Sequence, residues 1–217
     1  ERTKEAYQQL ANGLQSAVGS ITSIVADGAE NQIRSITELN ERQQEQNDNE
    51  IFHRTRLLNE MLSEVKTPVT VNYDIDVMLL PEVYTEARDK IIREEFHLVY
   101  PFKKGDGQVC IDYPHKENYN GESLFQERFY KPWGSFCGHV QFFNTEAYIN
   151  GGRENEDFLS YGAEDRERMN RFIRFGYMVT WLDHQVYHLE HARGINSSVN
   201  NPAFHRNESL YAQLDNM

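Results

Sequence analysis

The run PVTVNYDID, residues 68 to 76, ends in two acids and passes almost at once to Pro81. It reads as a strand running into those acids. Proline is preorganised for the first turn of a helix, and the spacing predicts a helix from Pro81 to about Phe96, after which HLVYPF reads as a second strand. A strand, a helix and a strand in this order require a layered α/β arrangement. The flanking segments continue the alternation. EAYQQLANGLQSAV carries Tyr7, Leu10, Leu14 and Val18 at helical spacing, and ITSIVADG (21 to 28) reads as a buried strand closed by an Asp-Gly turn. Residues 30 to 50 are polar and read as a surface helix that frays into a loop, while IFHRTRLLNEMLSEV (51 to 65) is an amphipathic helix. CGHVQFFN (137 to 144) has strand character, a helix starts near Glu164, and short strands fall between 177 and 188.

The fold expected from this pattern is one α/β domain with a mostly parallel central sheet flanked by helices. Ligands in such sheets sit at the carboxyl ends of strands, where Asp27, Asp74 and Asp76 fall. Residues 103 to 135 lack periodicity, are rich in Gly, Pro, Tyr and charge, and exceed the usual connection length. Segments of that kind in compact domains are commonly lids or binding loops.

With 22 basic and 34 acidic residues the chain carries a formal charge of -12 and has no Lys/Arg-rich block. A nucleic-acid partner needs a basic face to neutralise phosphates, so nucleic acid is excluded as the expected ligand. A phosphorylated small molecule is not, because a bound metal ion can supply the local positive charge. No apolar run reaches the roughly 18 residues of a membrane span, and no secretory signal heads the chain. Only Cys110 and Cys137 are present, too few for a disulfide scaffold and in keeping with a reducing compartment. Bacterial cytoplasm is the compartment expected, or the Golgi lumen if an N-terminal anchor has been removed. Sequons at Asn196 and Asn207 decide nothing in a chain so rich in asparagine.

Four groups of residues carry chemistry. Asp74 and Asp76, one residue apart at a strand end, can project the same way and offer oxygen ligands to a hard cation; an acidic turn is the plainer alternative. His188 and His191 stand three apart, and imidazole beside carboxylate suits manganese, zinc or iron. Glu164 and Asp165 open a predicted helix, where the macrodipole favours carboxylates and where one could remain ionised as a general base. Arg54 and Arg56 lie on the 51 to 65 helix, from which one could reach a pyrophosphate.

Taken in order, these blocks resemble the GT-A glycosyltransferases, especially the β-1,4-galactosyltransferase group and its bacterial chondroitin-polymerase-like relatives. VADG ending at Gly28 is similar to the strand whose following loop holds the nucleotide base, which implies Asp27 near uracil. FHRTRLLN (52 to 59) resembles the family's Phe-x-Arg-x-x-Leu-Leu-Asn block, implying nucleotide and phosphate contacts from Phe52 and Arg54. VNYDIDVMLLPE (71 to 82) resembles the Asp-x-Asp strand end, with Asp76 as metal ligand and Asp74 on the ribose side or around the metal. Residues 134 to 172 resemble the acceptor-and-catalytic block: Asp165 matches the base of the inverting enzymes, with Glu164 beside it against a sugar. His191 and His188 match positions that complete the metal shell.

The resemblance therefore implies a catalytic domain over residues 1 to 195, with 103 to 135 closing over the donor. Residues 196 to 217 would form a tail packed on or near the active site. It implies an inverting transferase that uses a divalent metal, Mn2+ first, to move a sugar from a UDP-sugar to a carbohydrate hydroxyl. Several departures accompany it. The family's first strand should precede the first helix, yet the chain opens inside that helix, which points to an absent upstream segment or an incomplete donor pocket. Where the galactosyltransferases have Trp-Gly-Trp-Gly-Gly-Glu-Asp, this chain has Leu159, Ser160, Tyr161, Gly162, Ala163, Glu164 and Asp165. Tyr161 can still stack on a sugar; Arg166 stands in place of a further acid. The alternatives are a retaining N-acetylgalactosaminyltransferase-like enzyme, which tends to carry Asn where Asp165 stands, a nucleotidyltransferase of similar fold, and an inactive domain that binds sugar nucleotide or glycan.

Overall fold

In the computed structural model the described residues are 52–111, 130–134, 136–191 and 193–216, all within the unit Ile51–Met217. The helices and strand expected before residue 51, Asp27 with them, lie outside the described residues, as does the middle of the 103 to 135 segment.

Helix α1 (Arg54–Glu64) is capped by His53, whose ring accepts from the Arg56 amide, and strand β1 (Val69–Tyr73) follows. A turn closed by Val77 N donating to Asp74 O at 3.1 Å leads to the short β2 (Val77–Met78). Helix α2 (Pro81–Ile92) begins at the proline, as expected. Then come β3 (Leu98–Tyr100), β4 (Gln108–Ile111), β5 (Tyr130–Trp133) and β6 (Val140–Asn144). Helices α3 (Thr145–Asn150) and α4 (Glu164–Arg174), strands β7 (Val179–Trp181) and β8 (Val186–Leu189), and helix α5 (Phe204–Asp215) complete the order.

The described residues are α/β, and their sheets are mixed where a mostly parallel central sheet was expected. Among the described residues two mixed four-stranded sheets form, in the orders β1-β6-β3-β7 and β2-β8-β4-β5. Only β3–β7 and β4–β8 pair in parallel. In the first sheet β1, β3 and β7 run together, as helical crossovers require. Strand β6 inserts reversed between β1 and β3. A second correction concerns residues 103 to 135, which carry paired strands β4 and β5 at their ends rather than one structureless loop. Strand β4 is buried at every position, so it shows no alternation to betray it.

Side chains alternate across β6 and fix the layers. Phe142 meets Tyr84 of α2 with ring centroids 6.3 Å apart. On the opposite face Phe143 stacks on Tyr148 of α3 at 4.0 Å and meets Phe172 of α4 at 5.8 Å. Helices thus cover both faces, and each such aromatic burial stabilises the fold by about 1.5–3 kcal/mol. Gln141 shares the α4 face with Phe143, and Asn72 lies opposite it on β1. Those two polar positions open the apolar layer toward the site. No helix among the described residues is long and apolar enough to cross a membrane.

Candidate active site

The turn between β1 and β2 carries Asp74, Ile75 and Asp76 from one sheet to the other. Ile75 is fully exposed, and the two acids diverge instead of projecting the same way. Asp74 faces α1 and α4: its Oδ1 lies 3.3 Å from Arg54 Nη2. Asp76 faces β8 and the residues after it: its Oδ2 lies 3.3 Å from His188 Nε2 and 2.7 Å from His191 Nε2. The turn therefore supplies one carboxylate to each of two neighbouring clusters.

The first cluster is built on Arg54. Besides Asp74, its Nη1 lies 3.2 Å from Glu164 Oε1 and 3.7 Å from Asp165 Oδ1. Burial alone would lower the pKa of this guanidinium, but Asp165, Asp74 and Glu164 raise it above the ordinary arginine value. Arg56, the other arginine of α1, points away and pairs with Glu60 at the surface. Helix α1 is stitched to the chain ahead of α4 by Thr55 Oγ1 donating to Phe158 O at 2.9 Å and by Asn59 bonding both backbone groups of Glu154.

Glu164 and Asp165 begin α4 after a tight turn in which Ser160, Gly162 and Ala163 all have positive φ. The left-handed region costs a residue with a side chain about 1–2 kcal/mol, and strained backbone of this kind gathers at functional sites. Both acids sit in the first turn, yet their environments push them apart. Burial, and then the charge of Asp165, hold Glu164 well above the usual carboxylate range. Asp165 is buried too, but Arg168 and Arg54, with a hydrogen bond from Gln141 Nε2 at 3.1 Å, hold it below that range. One carboxyl is kept protonated more readily and the other ionised, as an acid-base site needs. Asp74 is pushed up to about 6 by burial and the nearby acids, against the pull of Arg54.

Behind Asp165 lies a polar core that sequence reasoning missed. Arg168 is fully buried and donates to Asp165, to Gln141 Oε1 and to both carboxylate oxygens of Glu154. Glu154 also accepts from Tyr148 and, at 3.3 Å, from Asn72. The one signal for this network was the i,i+3 spacing of Asp165 and Arg168.

Gly138 backs directly onto Asp165: a Cβ there would lie 3.0 Å from Asp165 Oδ2, and its φ is +92°. Gly138→Ala is expected to destabilise the protein by about 1–2 kcal/mol through the backbone alone and to push Asp165 off Gln141. Urea unfolding measures the first effect, and an unchanged midpoint would contradict it.

The second cluster is Asp76, His188 and His191, one ligand atom of each lying within 4.8 Å of the others. Two imidazole nitrogens and a carboxylate oxygen are a donor set that fits a divalent ion of borderline softness. His139 stands between the clusters, with Nδ1 3.8 Å from Asp74 Oδ2 and its ring 5.2 Å from that of His188. Burial, and then the charge of His188, lower its pKa to about 4, so it is neutral at ordinary pH. Cys110 and Cys137 are both buried and form no disulfide, and burial first, then Glu190, push the Cys110 thiol up to about 11.

Among the remaining predicted site residues, Phe52 is half-buried just ahead of α1. Tyr161 stacks on Phe204 at the start of α5, with centroids 6.1 Å apart. Helix α5 holds the turn before α4 through Asn207, whose Nδ2 donates to Leu159 O at 2.7 Å and to Tyr161 O at 3.1 Å. That amide is fully buried, so the sequon at Asn207 is not a glycan acceptor in this fold. No protein-family model matches the chain, and no curated protein matches it significantly.

Proposed function

We propose that this protein is an inverting, metal-dependent glycosyltransferase of the GT-A type, transferring a sugar from a nucleotide diphosphate, UDP first, to a carbohydrate hydroxyl. The observation that carries the reading is the coupling of two clusters by one turn: Asp76 beside His188 and His191, Asp74 beside Arg54 and, through Arg54, Asp165. The carboxylates of Asp74, Asp76 and Asp165 outnumber the charge of Arg54, since Arg168 behind Asp165 is matched by Glu154, and they repel an anionic diphosphate unless a cation accompanies it. Asp76, His188 and His191 are the residues to hold that cation. When bound, it neutralises the charge of the departing diphosphate as a Lewis acid.

The protein's own groups do the rest. Arg54 exchanges its contacts with Glu164 and Asp165 for the diphosphate, a bidentate partner better matched to it. Losing Arg54 leaves Asp165 with Arg168 alone, and its basicity rises at the moment it is needed. Asp165 then accepts the acceptor's hydroxyl proton while that oxygen bonds to the anomeric carbon, and the bond to the diphosphate breaks with its electron pair. Glu164, more readily protonated, donates a hydrogen bond to a sugar hydroxyl. Asp165 is an aspartate rather than an asparagine, which favours inversion over retention.

Incubation with UDP-hexoses and oligosaccharide acceptors, read as UDP release and as the anomeric configuration of the product, tests this reading. Manganese-dependent release with an inverted product is the expected result; retention, or no release with any donor, counts against it. Asp76→Ala is expected to weaken manganese-dependent UDP binding at least tenfold, and undisturbed binding would remove Asp76 from the metal shell.

A further inference from the structure

The parallel pairing of β4 with β8 sets Cys110 directly opposite His188, and paired residues project from the same face of a sheet. Glu190, two residues beyond His188, returns to that face; its amide donates to Ile111 O at 3.0 Å, extending the strand geometry past Leu189. Cys110 Sγ lies 3.9 Å from His188 Nδ1, and Cys110, His188 and Glu190 each present one ligand atom within 4.8 Å of the other two. Tetrahedral zinc, with bonds of about 2.3 Å to sulfur and 2.0–2.1 Å to nitrogen, separates those two atoms by roughly 3.6 Å. A thiolate, a neutral imidazole and a carboxylate together balance a divalent charge, which suits a group as buried as Cys110 and His188.

His188 is shared between this cluster and the one at Asp76: Nδ1 faces Cys110 and Nε2 faces Asp76. A neutral imidazole has one lone pair and one N–H, so the ring ligates through one side at a time.

We propose that Cys110, Glu190 and Nδ1 of His188 form a second cation site, selective for a thiophilic divalent ion such as zinc, and exclusive of a cation at Asp76, Nε2 of His188 and His191. The exclusivity rests on the function proposed above; the Cys110 site does not. On binding, the S–H bond of Cys110 breaks, its proton passes to the buffer and an Sγ–metal bond forms. The imidazole proton then resides on Nε2 and is donated to Asp76, which removes the middle ligand of the neighbouring site. Zinc therefore opposes manganese.

Cobalt(II) added to the intact protein is the probe, because only a thiolate ligand gives the intense near-ultraviolet charge-transfer band. One equivalent is expected to produce that band in the wild type and in His191→Ala. Zinc should abolish it, and Cys110→Ser should lack it while keeping its circular-dichroism spectrum. No band in the wild type overturns the proposal without any variant, and a band that survives in Cys110→Ser assigns the thiolate elsewhere. Manganese retained at full occupancy alongside bound cobalt overturns the exclusivity. Failure to find sugar transfer would leave the cobalt band in place, so the two readings fail separately.

Discussion

Arg168→Met is expected to destabilise the protein by about 3–5 kcal/mol, the range for removing one partner of a buried ion pair. For a domain of this size that corresponds to a thermal midpoint lower by roughly 10 °C. The cause is not a lost contact but the carboxylates left behind. Glu154 and Asp165 both point at Arg168, which has no exposed surface, and Gln141 accepts from it as well. Methionine fills the space and leaves Glu154 without a counter-charge and Asp165 with only the more distant Arg54, in a poorly solvated core. Adding Glu154→Gln should recover part of the loss, because the amide removes the charge that Arg168 neutralised. Calorimetric unfolding of the three proteins checks this; a single variant within 1 kcal/mol of wild type would mean that water reaches the cluster.

Asp165→Asn is expected to carry the largest effect on turnover, a loss of about 10²–10⁴, with UDP and metal affinity nearly unchanged. The asparagine can still accept from Gln141 and Arg168, so the local geometry is preserved while the proton acceptor is lost. Equal losses in binding and rate would make Asp165 structural. The same variant has a signature in stability. Because the folded protein holds Asp165 below its ordinary range, this group's contribution is present above an unfolded-state value of about 4 and is lost as the pH falls below it. The stability difference between wild type and Asp165→Asn should therefore shrink as the pH is lowered from 5 toward 2, measured by urea unfolding. A difference independent of pH would contradict the ionised state assigned here.

Much of the fold was legible where local chemistry and tertiary packing agree. Pro81 placed the start of α2 correctly, and PVTVNY was legible as strand β1, although its buried position is the polar Asn72 while Val71 and Tyr73 stay exposed. Strands β4 and β5 were hidden: β4 is buried on both faces, and its flanking glycines, prolines and tyrosines look like loop. The direction of β6 was hidden for another reason, since pairing between residues 69–73 and 140–144 is decided by the whole chain path and not by either segment. In the site, the adjacent acids Glu164 and Asp165 and the histidine pair could be read as types at spacings. What they meet could not. Arg168 has the sequence context of a solvated helix arginine, and only the fold reveals that Gln141 and Glu154 enclose it. The divergence of Asp74 and Asp76 likewise comes from a turn between two sheets, which one continuous strand would not have made.

The most direct measurement is a calorimetric titration of the protein with UDP, once with manganese and once with EDTA. The arrangement of Arg54, Asp74 and Asp76 with His188 and His191 predicts binding that requires manganese, since the carboxylates of Asp74, Asp76 and Asp165 repel the diphosphate without it. Binding of equal strength in EDTA, or none in either condition, would contradict a metal-bridged nucleotide-sugar site.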